Sequence, residues 1–312
     1  KKQDLMLNYP FQSFDYVIDL LREAAIDPDV TSIKINLYRV AKNSKIINAL
    51  INAVQNGKKV TVVVELRARF DEQNNIYWSN KLQEAVVKII FGVPGLKVHS
   101  KLIVITRKEK GALVRYAHIG TGNFHEKTAL LYGDTSLISA DIRIAEEVNK
   151  VFEFFENNYQ SKRYSHLVVS PYTTRRKFVQ LINNEIKFAK KGEKATITLK
   201  LNNLDDNEMI KKLYEASKAG VQITLIIRGI CSIVPGVKGL SENIKAISIV
   251  DRFLEHSRVL IFGNGGNELI YISSADWMAR NLDKRVEVTA PIYDENLKKQ
   301  LKNIIRLQLK DN

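Results

Sequence analysis

The chain has 312 residues, 45% hydrophobic and 26% charged, enough apolar material for two cores of roughly 150 residues each rather than for a disordered or fibrous polypeptide. Its one cysteine, Cys231, excludes an internal disulfide and a cysteine-cluster metal site and is expected to be a small buried apolar residue. No apolar run approaches the 18 or so residues that cross a bilayer, and the opening KKQDLMLNYPFQSFDY has no signal-peptide hydrophobic region, so the expectation is a cytoplasmic protein, with peripheral attachment to the inner face of the membrane left open. The 48 Lys and Arg against 34 Asp and Glu give a net charge of +14, which favours polyanionic partners without choosing among nucleic acid, an anionic membrane and inorganic phosphate chains. Taken alone, charge runs such as NNEIKFAKKGEKAT read as solvated helix ends and turns.

In chain order, SIKINLYR reads as a strand, NSKIINALINAVQNG as a polar turn and amphipathic helix, and KVTVVVEL as a second strand. Gly57 stands where a helix stop is expected. An apolar run, LKVHSKLIVIT, then carries His99-Ser100-Lys101, and in an extended strand the imidazole and the base two residues on share one side. The segment from Glu146 to Gly192 bridges to a second half in which the order recurs: ATITLKL, DNEMIKKLYEASKAG, VQITLIIR and then LEHSRVLIFG with His256-Ser257-Arg258. Ser32 to Leu66 aligns without a gap on Ala195 to Gly229, placing Ile47, Leu50, Ala53, Gly57 and Thr61 on Ile210, Leu213, Ala216, Gly220 and Thr224. The alternation of strands and helices predicts an α/β fold of two tandem domains related by internal duplication, 1–166 and 167–312. No flexible linker separates them, so a cleft between the halves is the expected site.

No G-x-x-x-x-G-K-[ST] loop occurs, and Gly263-Asn264-Gly265-Gly266 lies between strand-like runs as a hairpin turn rather than a dinucleotide loop. His118 and His125 lack acidic or cysteine partners at zinc-ligand spacing, and no G-x-S-x-G elbow supports a serine nucleophile. What remains is a set of cations and imidazoles near expected strand ends: Arg39, Arg67, Arg69, His99, Lys101 and His118, then Arg228, His256 and Arg258. Guanidinium groups grip phosphate oxygens bidentately and stay charged, while a neutral imidazole can attack phosphorus or protonate a leaving oxygen. A lone histidine in an apolar strand is more often a hydrogen-bonded core residue. Recurrence of the same His-x-base pattern in two repeats argues for function at His99 and His256, whereas His125 and His166 are read as structural.

The strings YRVAKNSKIINALINAVQNGKKVTVVVELRARFDEQNNIYWSNKL, FGVPGLKVHSKLIVITRKE and RYAHIGTGNFHEKTALLYGDTSL resemble the C-terminal catalytic half of the bacterial polyphosphate kinase family, which has a phospholipase D-like fold. The resemblance implies reversible transfer of the terminal phosphate of ATP to inorganic polyphosphate, with Mg²⁺ as cofactor. By that resemblance His99 is the nucleophile that becomes phosphohistidine. His256 faces it across the domain interface, contacts the nucleotide and acts as acid or stabiliser, and Lys101 and His118 complete the catalytic set. Arg39 and Arg69 belong to the magnesium-phosphate site. Because a guanidinium has no lone pair for a metal, they are read as holding phosphate oxygens beside the ion. Tyr132, Arg228, Arg258 and Arg67 are assigned to the nucleotide and its phosphates. The implied partners are ATP, ADP and polyphosphate, with no specific nucleic acid, and a homo-oligomer is expected for the full-length protein. The chain starts where the family's catalytic half starts, without its N-terminal and helical domains, so the fragment by itself is expected to be weakly active or inactive.

Phospholipase D relatives carry H-x-K-x4-D, but here Thr106 and Gly263 occupy the aspartate positions and Arg258 replaces the second lysine. That departure favours the kinase branch. The alternative is a phospholipase D-like phosphodiesterase or nuclease acting on DNA or lipid, and a non-catalytic polyanion-binding module is a third class.

Overall fold

The computed structural model describes residues 3–66, 68, 71–160 and 162–310; Arg67 and Arg69 lie outside the described residues. The chain divides into two units, Lys1–Leu167 and Val168–Asn312. The first contains β1 (Leu5–Tyr9), α1 (Asp15–Ile26), β2 (Val30–Leu37), α2 (Lys45–Gln55), β3 (Lys59–Val64), α3 (Glu72–Glu84), β4 (Lys88–Phe91), β5 (Lys97–Val98), β6 (Leu102–Glu109), β7 (Ala112–Gly120), β8 (Tyr132–Ser139) and α4 (Ile142–Glu156). The second contains β9 (Val168–Val169), α5 (Thr174–Lys190), β10 (Thr196–Leu201), α6 (Asn207–Lys218), β11 (Gln222–Ile227), β12 (Ile244–Ile247), β13 (Leu254–Glu255), β14 (Arg258–Phe262), β15 (Leu269–Ser273), α7 (Ala279–Asp283), β16 (Arg285–Val286), β17 (Val288–Pro291) and α8 (Glu295–Gln308).

Strand order establishes the duplication. In the first unit it is β4-β3-β2-β6-β7-β8-β1, and in the second β12-β11-β10-β14-β15-β17-β9. In each, the first three strands run parallel and those from the third onward pair antiparallel. The parallel strands are the β-branched runs of the sequence, and Ile33, Ile35, Val62 and Leu225 are fully buried, as strands covered on both faces require.

The matched helices α2 and α6 are cut by the same local chemistry. Ser44 accepts the Ile47 N–H at 3.3 Å, and Asp206 accepts that of Met209 at 3.0 Å, satisfying amides that the first turn leaves open. At the other end Gly57 (φ +76°) and Gly220 (φ +95°) reverse the chain. The paired bonds Gly57 N to Val54 O and Lys58 N to Ala53 O recur as Gly220 N to Ser217 O and Val221 N to Ala216 O. Apolar residues at helical spacing, Ile46, Ile47, Ala49, Leu50 and Ala53, fill the core of the first unit, and Met209, Ile210, Leu213 and Ala216 that of the second.

Three sequence expectations need correction. The ungapped self-alignment puts the first strands one residue out of step: Ile33 pairs with Val60 and Ile197 with Ile223, so Ile33 corresponds to Ile197 and not to Thr196. The histidines and serines of the triplets do not lie within strands but at the entrances to β6 and β14, with Lys101 just before β6 and Arg258 the first residue of β14. In the first unit the Asn36 side chain takes over the ladder there, accepting the Leu102 N–H at 2.7 Å and donating to the Ser100 carbonyl. Cys231 is half-buried rather than buried, in the loop after β11. The Gly263–Gly266 segment does form the β14–β15 hairpin turn.

Candidate active site

His99 is half-buried and its ring meets Tyr38 edge-on, with centroids 4.9 Å apart. The side chain of Lys101 is almost fully buried; its ammonium donates to the His99 carbonyl and lies 5.5 Å from the Tyr38 ring centroid. A cation–π contact and a backbone carbonyl thus hold a desolvated positive charge beside the imidazole. Arg39, two residues beyond β2, pairs with Asp71 at 2.7 Å, its guanidinium carbon 5.7 Å from the Tyr38 centroid. The structure therefore gathers His99, Lys101 and Arg39 around Tyr38, a residue that sequence reading does not single out. Tyr132 opens β8 and is half-buried.

The second unit repeats the scheme with different residues. Arg258 is 3% exposed, donates to the His256 carbonyl at 2.7 Å and lies 3.3 Å from His256 Nε2. Its Nε donates to Asp276 at 3.2 Å. Asp276 also accepts the Asn202 and Asn203 backbone N–H groups at 2.9 and 3.3 Å. Burial would raise the Asp276 carboxyl, but Arg258 and the converging N–H donors outweigh it and hold the pKa at about 2. Arg228, directly after β11, donates to Asn202 Oδ1 at 2.9 Å and to the Glu255 carbonyl. Lys200 donates to Ser257 Oγ at 2.8 Å and to the Glu255 carboxylate.

His118 occupies a different environment. It lies on β7, 2% exposed, its ring 5.2 Å from that of Phe124, and neither ring nitrogen is hydrogen-bonded to another described residue. Burial pushes its pKa down to about 3, so it is neutral at pH 7. The unfolded imidazole titrates near pH 6.5, so this term is fully stabilising above 6.5 and is lost as pH falls from there toward 3. Its imidazole C–H resonances are expected to stay fixed between pH 5 and 8, and a midpoint inside that range would contradict the burial. His125 Nδ1 accepts the Thr128 N–H at 3.3 Å, and the backbone N–H of His166 joins those of Ser165 and Leu167 on the Glu147 carboxylate.

Among the described residues no group of three or more His, Cys, Asp or Glu side chains is placed to hold a metal ion. Arg39 is paired with Asp71, and a guanidinium has no lone pair for a metal, so Arg39 can meet Mg²⁺ only through phosphate oxygens.

Sequence reasoning missed Glu65, Asn36, Lys200 and Asp276, all buried and all bound to the triplets or their flanks. Asp276 had a findable signal. Gly120 pairs with Lys101 and Ser273 with Arg258, so IGTGN of the first half matches ISSAD of the second and Asp276 falls on Asn123.

This duplicated α/β architecture, with a His-x-base triplet entering the same strand of each unit, is the phospholipase D-like fold. Phosphatidylserine synthase of Haemophilus influenzae shares it at 10% identity and a TM-score of 0.69, over 98% of this chain and 86% of that one. Residues 1–162 match the model of polyphosphate kinase C-terminal domain 1 and residues 167–312 that of domain 2, so the chain belongs to the polyphosphate kinase family. It is 56% identical to a polyphosphate kinase of Vibrio cholerae and 54% to one of Escherichia coli K12, over the whole of this chain but only 44% and 45% of theirs. The crystal structure of polyphosphate kinase from Porphyromonas gingivalis aligns with 42% identity and a TM-score of 0.92, covering 99% of this chain and 47% of that one. The chain thus spans less than half the length of the relatives it matches.

Proposed function

We propose that this chain is the catalytic region of an enzyme that moves the terminal phosphoryl group of ATP onto inorganic polyphosphate through a phosphohistidine on His99. The observation that carries the reading is the half-buried His99 with the desolvated Lys101 ammonium fixed at its own carbonyl, in a chain of this family. Phosphoryl transfer asks mainly for positioning and for neutralisation of charge on the transferred group. The His99 ring nitrogen forms the P–N bond as the bond from phosphorus to the ADP oxygen breaks, the electron pair leaving with ADP. A terminal oxygen of polyphosphate then attacks phosphorus and the P–N pair returns to the ring. A covalent intermediate makes the sequence two-step, and in this reading both steps run in either direction because each exchanges one energy-rich phosphoryl bond for another.

In this reading Lys101 and Arg39, with Arg67 and Arg69, hold phosphate oxygens, while Tyr132, Arg228 and Arg258 serve the nucleotide. His256 protonates or stabilises the leaving group, and His118, buried and neutral on β7, completes the catalytic set without itself taking phosphate. Mg²⁺ enters with ATP as part of the substrate. The net charge of +14 draws in and retains the polyanion, for which base recognition is not needed. No described helix is long and apolar enough to cross a membrane; we place the enzyme in the cytoplasm, and its full-length form in a homo-oligomer.

Incubation with γ-labelled ATP and Mg²⁺ is expected to leave an acid-labile, alkali-stable label that unlabelled polyphosphate chases into polymer. Phosphodiester cleavage without ATP dependence would replace this reading by the phosphodiesterase one, and binding of polyphosphate with neither chemistry would reduce the chain to a polyanion module.

A further inference from the structure

The residue that follows β3 and the residue that follows β11 occupy matched positions, and both reach the backbone just before a histidine. Glu65 is 5% exposed, and its Oε2 accepts the N–H of Val98 at 3.0 Å. Val98 directly precedes His99. The Glu65 backbone is itself pinned, since its N–H donates to Leu37 O at 3.1 Å and Asn75 Nδ2 donates to its carbonyl at 2.9 Å. In the second unit Arg228 donates through Nε to the carbonyl of Glu255, the residue directly before His256. One copy thus catches an N–H with a carboxylate and the other a C=O with a guanidinium.

The tether persists although the residue type, its charge and the backbone group it seizes have all been exchanged. A buried carboxylate is costly where an apolar side chain would fill the same space, so core packing alone does not account for Glu65. We propose that Glu65 is a positioning residue for His99, fixing through the Val98 amide where the imidazole meets phosphorus, and that Arg228 does the same for His256 in addition to any contact with nucleotide. The phosphoryl-transfer part of this inference rests on the function proposed above; the tether itself does not.

Two substitutions in the full chain separate the roles. Glu65→Gln keeps an acceptor oxygen for Val98, and Glu65→Leu removes it. With Glu65→Leu, hydrogen exchange of the Val98 amide is expected to quicken by about tenfold or more, the His99 imidazole resonances to shift or broaden, and phosphohistidine formation to slow by about tenfold at saturating ATP, with ATP affinity unchanged. Amides of β2, β6 and β7, in the same unit as Glu65, stay as protected as in the parent, which reports that this unit is still folded. Glu65→Gln is expected to restore exchange, resonances and rate to within about threefold of the parent. A Leu variant with parental Val98 exchange and parental His99 resonances would overturn the proposal, as would a Gln variant as impaired as Leu. If the parent takes no phosphate from ATP even at the full length of its relatives, the functional reading fails by itself, and the Val98 and His99 measurements still decide for or against the tether.

Discussion

Replacing His99 by alanine is expected to abolish the acid-labile label altogether, whereas His256→Ala is expected to leave it detectable at a rate lowered by roughly 10²–10⁴, the usual worth of a positioned acid or base. The asymmetry follows from the two sites. The imidazole of His99 stands half-buried beside Tyr38, with the ammonium of Lys101 held at its own carbonyl. Two of the other imidazoles of the first unit are ill placed to substitute for it, His118 because it is closed into the core and His125 because its Nδ1 is engaged with the Thr128 amide. Arg258, by contrast, lies against both the carbonyl and Nε2 of His256, which suits that ring to hydrogen-bonding and charge stabilisation. Lys101→Ala should fall between the two, and Lys101→Arg should recover part of the loss by returning a cation to the carbonyl. Single-turnover labelling followed by peptide mapping reads all four variants. Label on His99→Ala at a comparable rate, or label mapped to His256 in the parent, would reverse the assignment.

Much of this fold was legible because it is written twice. Gly57 and Gly220 end matched helices, Ser44 and Asp206 begin them, and the β-branched runs around Ile33 and Ile197 can only be covered strands. What stayed hidden was chemistry that self-comparison does not conserve. Asn36 and Lys200 stand at matched places and each reaches the serine of its triplet, yet one is an amide and the other an ammonium. Glu65 and Arg228 carry opposite charge for one task, so neither similarity nor charge pattern links them. The triplets themselves were read into strands because apolar residues flank them, and only side-chain hydrogen bonds, which hydrophobic period does not encode, show where the strands begin.

Arg258→Ala is expected to cost about 3–5 kcal/mol of stability, the typical penalty for stripping a buried charge of its partner. Asp276 would remain 5% exposed with backbone and amide donors but without the guanidinium. The sign of the pH dependence is fixed by the carboxyl. Its pKa drops from 3.8 in the unfolded chain to about 2 in the fold, so the pair contributes fully above pH 4 and its contribution disappears as pH falls through 2. At 1.36 kcal/mol per pKa unit that linkage is worth about 2 kcal/mol at neutral pH. In Arg258→Ala, burial is left to dominate and the carboxyl takes up a proton at higher pH, so the gap between parent and variant should narrow as the solution is acidified from pH 7 to pH 3. The double variant Arg258→Met with Asp276→Asn, which removes both charges while keeping an acceptor for the Asn202 amide, should regain most of the stability. It should not regain activity, because His256 loses the donor at its carbonyl and at Nε2. Urea midpoints across that pH range, measured beside phosphotransfer rates, test each part. A midpoint loss equal at pH 7 and pH 3 would exclude the charge pair as its origin, and a double variant that recovers both stability and rate would confine Arg258 to the core.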